Sequence, residues 1–106
     1  MSVKVFHDFE GRSIRLTEER LHHILEHPEM KGMLEAIGQT IASPQKVIQS
    51  LSDTEAHLYY RFYVGTRVGD KYLCVVVKIW QKESFILTAY LTDVIKKGDL
   101  IWPKRS

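Results

Sequence analysis

Two neighbouring runs, Tyr72-Leu-Cys-Val-Val-Val-Lys-Ile-Trp80 and Phe85-Ile-Leu-Thr-Ala-Tyr-Leu-Thr92, constrain the fold more than any other part of the chain. Both are rich in β-branched and aromatic residues, and only Gln81-Lys-Glu-Ser84 separates them. That pattern predicts an antiparallel hairpin at the centre of a sheet. At a period of two, Leu73, Val75, Val77 and Ile79 share one face, and Tyr72, Cys74, Val76, Lys78 and Trp80 share the other. In the second run Phe85, Leu87, Ala89 and Leu91 form the apolar set, and Ile86, Thr88, Tyr90 and Thr92 the mixed one. A lysine in the middle of such a strand needs a reason: chemistry, or the wet side of a sheet.

The rest of the chain supplies what this hairpin packs against. Val3-Lys-Val-Phe-His-Asp-Phe9 alternates, and Glu10-Gly11-Arg12 turns it into Ser13-Ile-Arg-Leu16, an N-terminal strand pair. Thr17 is a good N-cap, with Glu18 and Glu19 in the first helical turn, where the macrodipole favours negative charge. The helix runs through Leu21, Ile24 and Leu25 to His27, which Pro28 pushes out of helical geometry. Pro28 also suits the first position of a second helix through Met30, Met33, Leu34, Ile37 and Ile41, apolar at three- and four-residue steps. Ser43-Pro44 breaks it. Val47–Ser50 reads as a short extended piece, Ser52–Glu55 as a loop and His57–Val64 as a strand. Asp93 caps a single helical turn through Lys96 and Lys97 that Gly98 ends, and Ile101-Trp102-Pro103 closes the chain. The layout predicts one α+β domain over residues 1–106: a strand pair, two helices, then a three-stranded antiparallel meander with the helices on one face.

Composition narrows the class. At 106 residues the chain holds a single core, and 44% hydrophobic with 26% charged residues describes an ordinary globular protein. No apolar run approaches the roughly 20 residues of a bilayer span, so no membrane partner is expected. The lone Cys74 has no partner in the chain, which suits a reduced, cytoplasmic thiol. Residues 1–30 carry four basic and six acidic side chains, and residues 57–106 carry nine basic and four acidic. Positive charge therefore travels with the sheet, where it would favour a phosphate-bearing partner.

Matching faces predicts a register. A six-residue loop pairs Val64 with Lys71, which sets Phe62 opposite Leu73, Arg61 opposite Cys74, Tyr59 opposite Val76 and His57 opposite Lys78. Pairing Lys78 with Thr88 then gathers His57, Tyr59, Arg61, Tyr63, Lys78, Thr88, Tyr90 and Thr92 on an open face. Such a face is either an ordinary solvated one or a surface for RNA, with cations meeting phosphate and tyrosines stacking on bases. His23-Ile-Leu-Glu-His27 matches H-x-x-E-H, but the adjoining Pro28 spoils the one-turn spacing of its histidines, so no metal and no cofactor are expected. Cys74, between valines, reads as a packing residue.

Arg20-Leu-His-His-Ile-Leu-Glu-His-Pro-Glu29, Ser43-Pro44-Gln-Lys-Val47, Val75-Val-Val-Lys78 and Phe85-Ile-Leu-Thr-Ala-Tyr90 with Ile95-Lys-Lys-Gly98 occur in that order over roughly residues 12–102. Together they resemble the phage-Barnase-EndoU-Colicin-RelE-like nuclease families, small domains of toxins and phage proteins. The resemblance implies N-terminal helices packed on one face of a curved antiparallel sheet, barnase- or RelE-like, and metal-independent RNA cleavage. By motif match it implies His23 (or His27), Lys78 and Thr88 as catalytic residues. The face argument adds Arg61, Tyr59 and Tyr90 as substrate-binding residues. In that reading a ribose 2′-hydroxyl attacks phosphorus, a histidine moves the protons, and Lys78 with Arg61 holds the phosphorane charge. RNA is then the partner, with an antitoxin or immunity protein as a second. The alternative is a non-catalytic RNA-binding or protein-binding module.

Overall fold

The computed structural model of the chain describes residues 3–104. Its strands are β1 (Val3–His7), β2 (Ser13–Thr17), β3 (Lys46–Ser50), β4 (Ala56–Thr66), β5 (Gly69–Trp80), β6 (Glu83–Thr92) and β7 (Gly98–Trp102). Two α-helices, α1 (Glu18–Leu25) and α2 (Leu34–Ala42), lie between β2 and β3 with a 3-10 turn at Pro28–Met30 between them. The strands form one seven-stranded sheet in the order β1-β2-β6-β5-β4-β3-β7.

This corrects the expected fold. The chain is mostly sheet, and its sheet is mixed, because β2 runs parallel to β6 through the pair Arg15↔Phe85. It is therefore not a set of N-terminal helices on a curved antiparallel barnase/RelE-like sheet. The physical cause is β2, whose inward Ile14 and Leu16 are fully buried and occupy the free edge of β6.

Thr17 does cap α1, its hydroxyl accepting from the Arg20 N–H at 3.2 Å. The long second helix is shortened. Lys31 is extended and Gly32 takes φ +78°, so Pro28 begins only the 3-10 turn and α2 starts at Leu34. The expected helical turn after Asp93 is also absent. Gly98 instead opens β7, which pairs antiparallel with β3.

One sheet face buries Leu73, Val75, Val77, Ile86, Ala89, Val47 and Tyr59 against Ile24, Met30, Ile37 and Ile41 of the helical layer. Each such aliphatic side chain contributes about 1.5–3 kcal/mol on burial. The β1–β2 hairpin reaches over this layer. In a flat sheet β2 and β7 would stand about 24 Å apart, yet the Phe9 ring lies 5.1 Å from Trp102 and 6.2 Å from Tyr59. The sheet is therefore far from flat, and the tip of the β1–β2 hairpin lands on β4 and β7. Gly38 of α2 lets it pass close, since a Cβ there would sit 3.0 Å from the Phe6 ring.

The strand register differs from the sequence expectation by one residue on β4. Lys71 pairs with Tyr63, Leu73 with Arg61, Cys74 with Tyr60 and Lys78 with Ala56. The hairpin continues to Thr66↔Gly69, and Gly65, at φ +71°, sits in an irregularity between Tyr63 and Thr66 that absorbs an extra residue. A slip of one flips every side chain of the strand to the other face. A second irregularity, between Val76↔Thr88 and Val77↔Ile86, leaves Leu87 unpaired and turns Ile86 into the core in place of Phe85 and Leu87.

Candidate functional site

With this register the expected constellation does not assemble. Tyr59 and Tyr63 pack on the helical face, so His57 and Arg61, alternating with Leu58 and Tyr60, belong to that face too. Lys78, Thr88 and Tyr90 lie on the opposite face, whose buried cluster is Ile48, Leu58, Tyr60 and Cys74 with Tyr72, Val76, Tyr90 and Ile95 against it. The sheet thus separates Arg61 and Tyr59 from Lys78. It also separates Lys78 from the histidines of the H-x-x-E-H motif. His23 is exposed on α1 with Nδ1 3.6 Å from Glu26 Oε1, and His27 is exposed with Nδ1 3.9 Å from Glu29 Oε1. Among the described residues no group of three or more His, Cys, Asp or Glu side chains is placed to hold a metal ion. Arg61 is engaged elsewhere, donating to the Ser43 carbonyl at 2.7 Å.

Lys78 is the best explained of these side chains. Its ammonium lies 2.6 Å from Asp53 Oδ2 and 3.4 Å from Glu55 Oε1. The Asp53 hydrogen bond raises the lysine above its usual range, and the same bond, first among the causes, holds Asp53 below the usual carboxylate range. The mid-strand cation therefore fastens the β3–β4 loop across the second face.

Beside that loop is a cavity of about 400 Å³, lined by Ser50, Ser52 and Asp53 of the loop region, Val76, Thr88 and Tyr90 of the sheet, and Lys96 and Lys97 before β7. The neighbouring residues give a local reason for the lysines' position. Ile95 packs into the second-face cluster, and the Lys96 backbone N–H donates to the Tyr60 hydroxyl at 3.2 Å. The Lys96 ammonium then lies 5.9 Å from the Tyr90 ring centroid. Among the described residues neither Lys96 nor Lys97 has a carboxylate within ion-pair distance, whereas Lys78 and Lys71 both do.

The sheet residues there form a packed layer of polar-tipped side chains. The Tyr90 hydroxyl is shut off from solvent beside the Cys74 thiol and the Tyr60 hydroxyl, with no partner in good hydrogen-bond geometry among the described residues. Burial pushes Tyr60 up to about 12 and raises both Tyr90 and Cys74 from their ordinary values. Burial thus favours the protonated thiol over the thiolate. From this layer an aromatic row continues along the face: Tyr60 to Tyr72 at 6.4 Å, and Tyr72 to the exposed Phe62 at 5.1 Å, both edge-to-face.

Two groups escape a reading of the sequence. Lys96 and Lys97 fall in the expected helical turn, and only the adjacent apolar Ile95 hints at their anchoring. The other is Asp8, whose side chain is fully buried on the helical side. Its carboxylate accepts from Arg12 Nη1 at 2.7 Å, the Tyr59 hydroxyl at 2.7 Å, and the N–H groups of Glu10 and Arg12 at 3.0 and 2.8 Å. The local signal, Asp three residues before Gly11 at φ +84°, marks the turn but not the distant Tyr59.

His57 lies near this network and is lowered from its ordinary value of 6.5, first by burial and then by the Arg12 charge, with Glu10 and Asp8 opposing. The folded state therefore prefers the neutral imidazole. As pH falls below 6.5 the unfolded chain takes up a proton that the folded chain refuses, so stability declines until the folded value is passed. His57→Gln is expected to flatten this segment of a stability-versus-pH curve measured by urea unfolding. An unchanged slope between the two proteins would count against it.

The described residues contain no helix long and apolar enough to cross a membrane. Comparison of the chain with known proteins gave no match to any family model, curated protein or solved structure.

Proposed function

We propose that the chain binds single-stranded RNA on the second face of its sheet without cleaving it. The observation that carries this reading is the pair Lys96–Lys97, free of carboxylate partners among the described residues, lining a cavity with Tyr90, beyond which the part-buried Tyr72 and the exposed Phe62 continue an aromatic row across the buried Tyr60. Ammonium groups without carboxylate partners among the described residues, one of them over an aromatic ring, meet the two recurring needs of a single strand, phosphate neutralisation and base stacking. A cavity of about 400 Å³ is within the usual range for a small-molecule pocket, so one nucleotide unit fits there while its neighbours lie along the aromatic row. The same geometry disfavours the nuclease reading, since His23 and Lys78 face away from each other across the sheet.

The test is fluorescence anisotropy with a labelled 12-mer RNA, in EDTA, across a salt series. Lys96→Ala with Lys97→Ala is expected to weaken binding and to reduce the salt slope by about one for each phosphate no longer neutralised. Phe62→Ala is expected to weaken binding by about 1–3 kcal/mol with the slope unchanged. Recovery of intact RNA supports a binding module. EDTA-resistant cleavage that disappears in His23→Ala and Lys78→Ala would overturn it in favour of the nuclease.

A further inference from the structure

Five charged side chains, Asp53, Glu55, Lys78, Lys96 and Lys97, bear on one small cavity, and only some of them line it. Asp53 lines the cavity together with Lys96 and Lys97, and Lys78 is not among the lining residues. An uncompensated Asp53 would repel the anion that the two lysines attract. Lys78 sits behind it with its ammonium on Asp53 Oδ2 at 2.6 Å and on Glu55 Oε1 at 3.4 Å. The loop is also tied by backbone: the Ile79 N–H donates to the Glu55 carbonyl at 2.7 Å, and the Glu55 N–H to Asp53 Oδ1 at 3.0 Å. Gln49 completes it, donating from Nε2 to the Thr54 carbonyl at 2.8 Å.

We propose that Lys78 is a positioning residue for an anion site: it neutralises and holds the Asp53–Glu55 loop so that Lys96 and Lys97 face a phosphate without a competing negative charge. This rests on the reading that the second face binds a phosphate-bearing strand, and it names how that site is kept receptive. The alternative for a mid-strand lysine, direct contact with phosphate, would require the ammonium to leave two carboxylates and enter a cavity it does not line. Like charges juxtaposed in a binding site suppress association, and removing their counter-charge exposes that repulsion.

The experiment compares four variants, Lys78→Met, Lys78→Arg, Asp53→Asn with Glu55→Gln, and these last two combined with Lys78→Met. Each is titrated with the RNA 12-mer and, separately, with inorganic tripolyphosphate, followed by the amide resonances of Lys96 and Lys97. Lys78→Met is expected to weaken both ligands about tenfold, and Lys78→Arg to leave them within about twofold, because a guanidinium keeps both carboxylates. The triple variant is expected to regain wild-type affinity within about twofold, which loss of a structural tether alone would not allow. A triple variant as weak as Lys78→Met overturns the proposal and leaves Lys78 as a mere tether of the loop or a direct phosphate contact. Wild-type affinity in Lys78→Met overturns it as well. If the wild type binds tripolyphosphate with this pattern but not RNA, the RNA reading falls and the positioning role stands. If it binds neither, both fall.

Discussion

Asp8→Ala is expected to lower stability by about 3 kcal/mol, the largest effect of any single polar substitution here. The carboxylate is fully buried and satisfies two backbone N–H groups of its own turn, one arm of Arg12 and the hydroxyl of Tyr59. Removing it leaves the two turn N–H groups without their acceptor, and takes from Tyr59 the one acceptor that its hydroxyl donates to across the core. The figure stands at the lower end of the range for a broken buried pair, because Arg12 is 33% exposed and water takes over part of its charge. At about 4–8 °C per kcal/mol for a domain of this size, the melting temperature should fall by more than about 10 °C. Tyr59→Phe, which removes one donor but leaves the ion pair, should cost about 1 kcal/mol. Urea unfolding of the three proteins decides the matter; equal midpoints for Asp8→Ala and Tyr59→Phe would mean that the turn and its ion pair add nothing beyond the link to β4.

Gly98→Ala should come second, at about 2–3 kcal/mol. A Cβ on residue 98 would overlap both Ile48 Cγ2 and the Gln49 carbonyl oxygen, and backbone cannot yield as a flexible side-chain tip does. The expected response is that the start of β7 lifts from β3. Because Gly98 directly follows Lys97, the same change should displace the two lysines and weaken RNA binding together with stability. Amide exchange should accelerate across β3 and β7 while the β5–β6 hairpin keeps its protection. Uniform loss of protection over the whole sheet would contradict this.

Much of the element layout is legible in the sequence because its signals are local. The three long strands announce themselves by β-branched and aromatic runs, and Thr17 with Glu18 and Glu19 marks the start of α1 within a single turn of chain. Register is not legible, because β4 offers hydrophobic side chains at both parities: Leu58, Tyr60 and Phe62 on one face, Tyr59 and Tyr63 on the other. Either pairing looks self-consistent, and the choice is made by Gly65 in its left-handed conformation, which puts one more residue into β4. That single residue decides whether Arg61 and Tyr59 stand beside Lys78 or behind it. The second helix reads too long from sequence because Gly32 passes for a weak helical residue, whereas its φ of +78° ends the turn before it. β7 gives little warning because five residues beside a proline make too short an alternation, and its pairing with β3 is non-local.

The candidate site follows the same rule. Lys78 stands out in its strand, but its partners Asp53 and Glu55 lie 25 and 23 positions back in a loop that carries no motif. Asp8 reads as an ordinary turn residue, since its remote partner Tyr59 is 51 positions away. Side chains whose roles depend on long-range contacts give no periodic signal.

The single parallel bridge between Arg15 and Phe85 also orders events during synthesis. Ile14, Leu16, Ile24, Ile37 and Ile41 all precede β5 and β6, whose Leu73, Val75, Val77, Ile86 and Ala89 form most of the sheet surface they bury against. The emerging N-terminal half thus carries apolar side chains with little to cover them until residue 89 has left the ribosome. Closure then joins positions 70 apart, a non-local step whose loop entropy opposes folding before burial of the core can offset it.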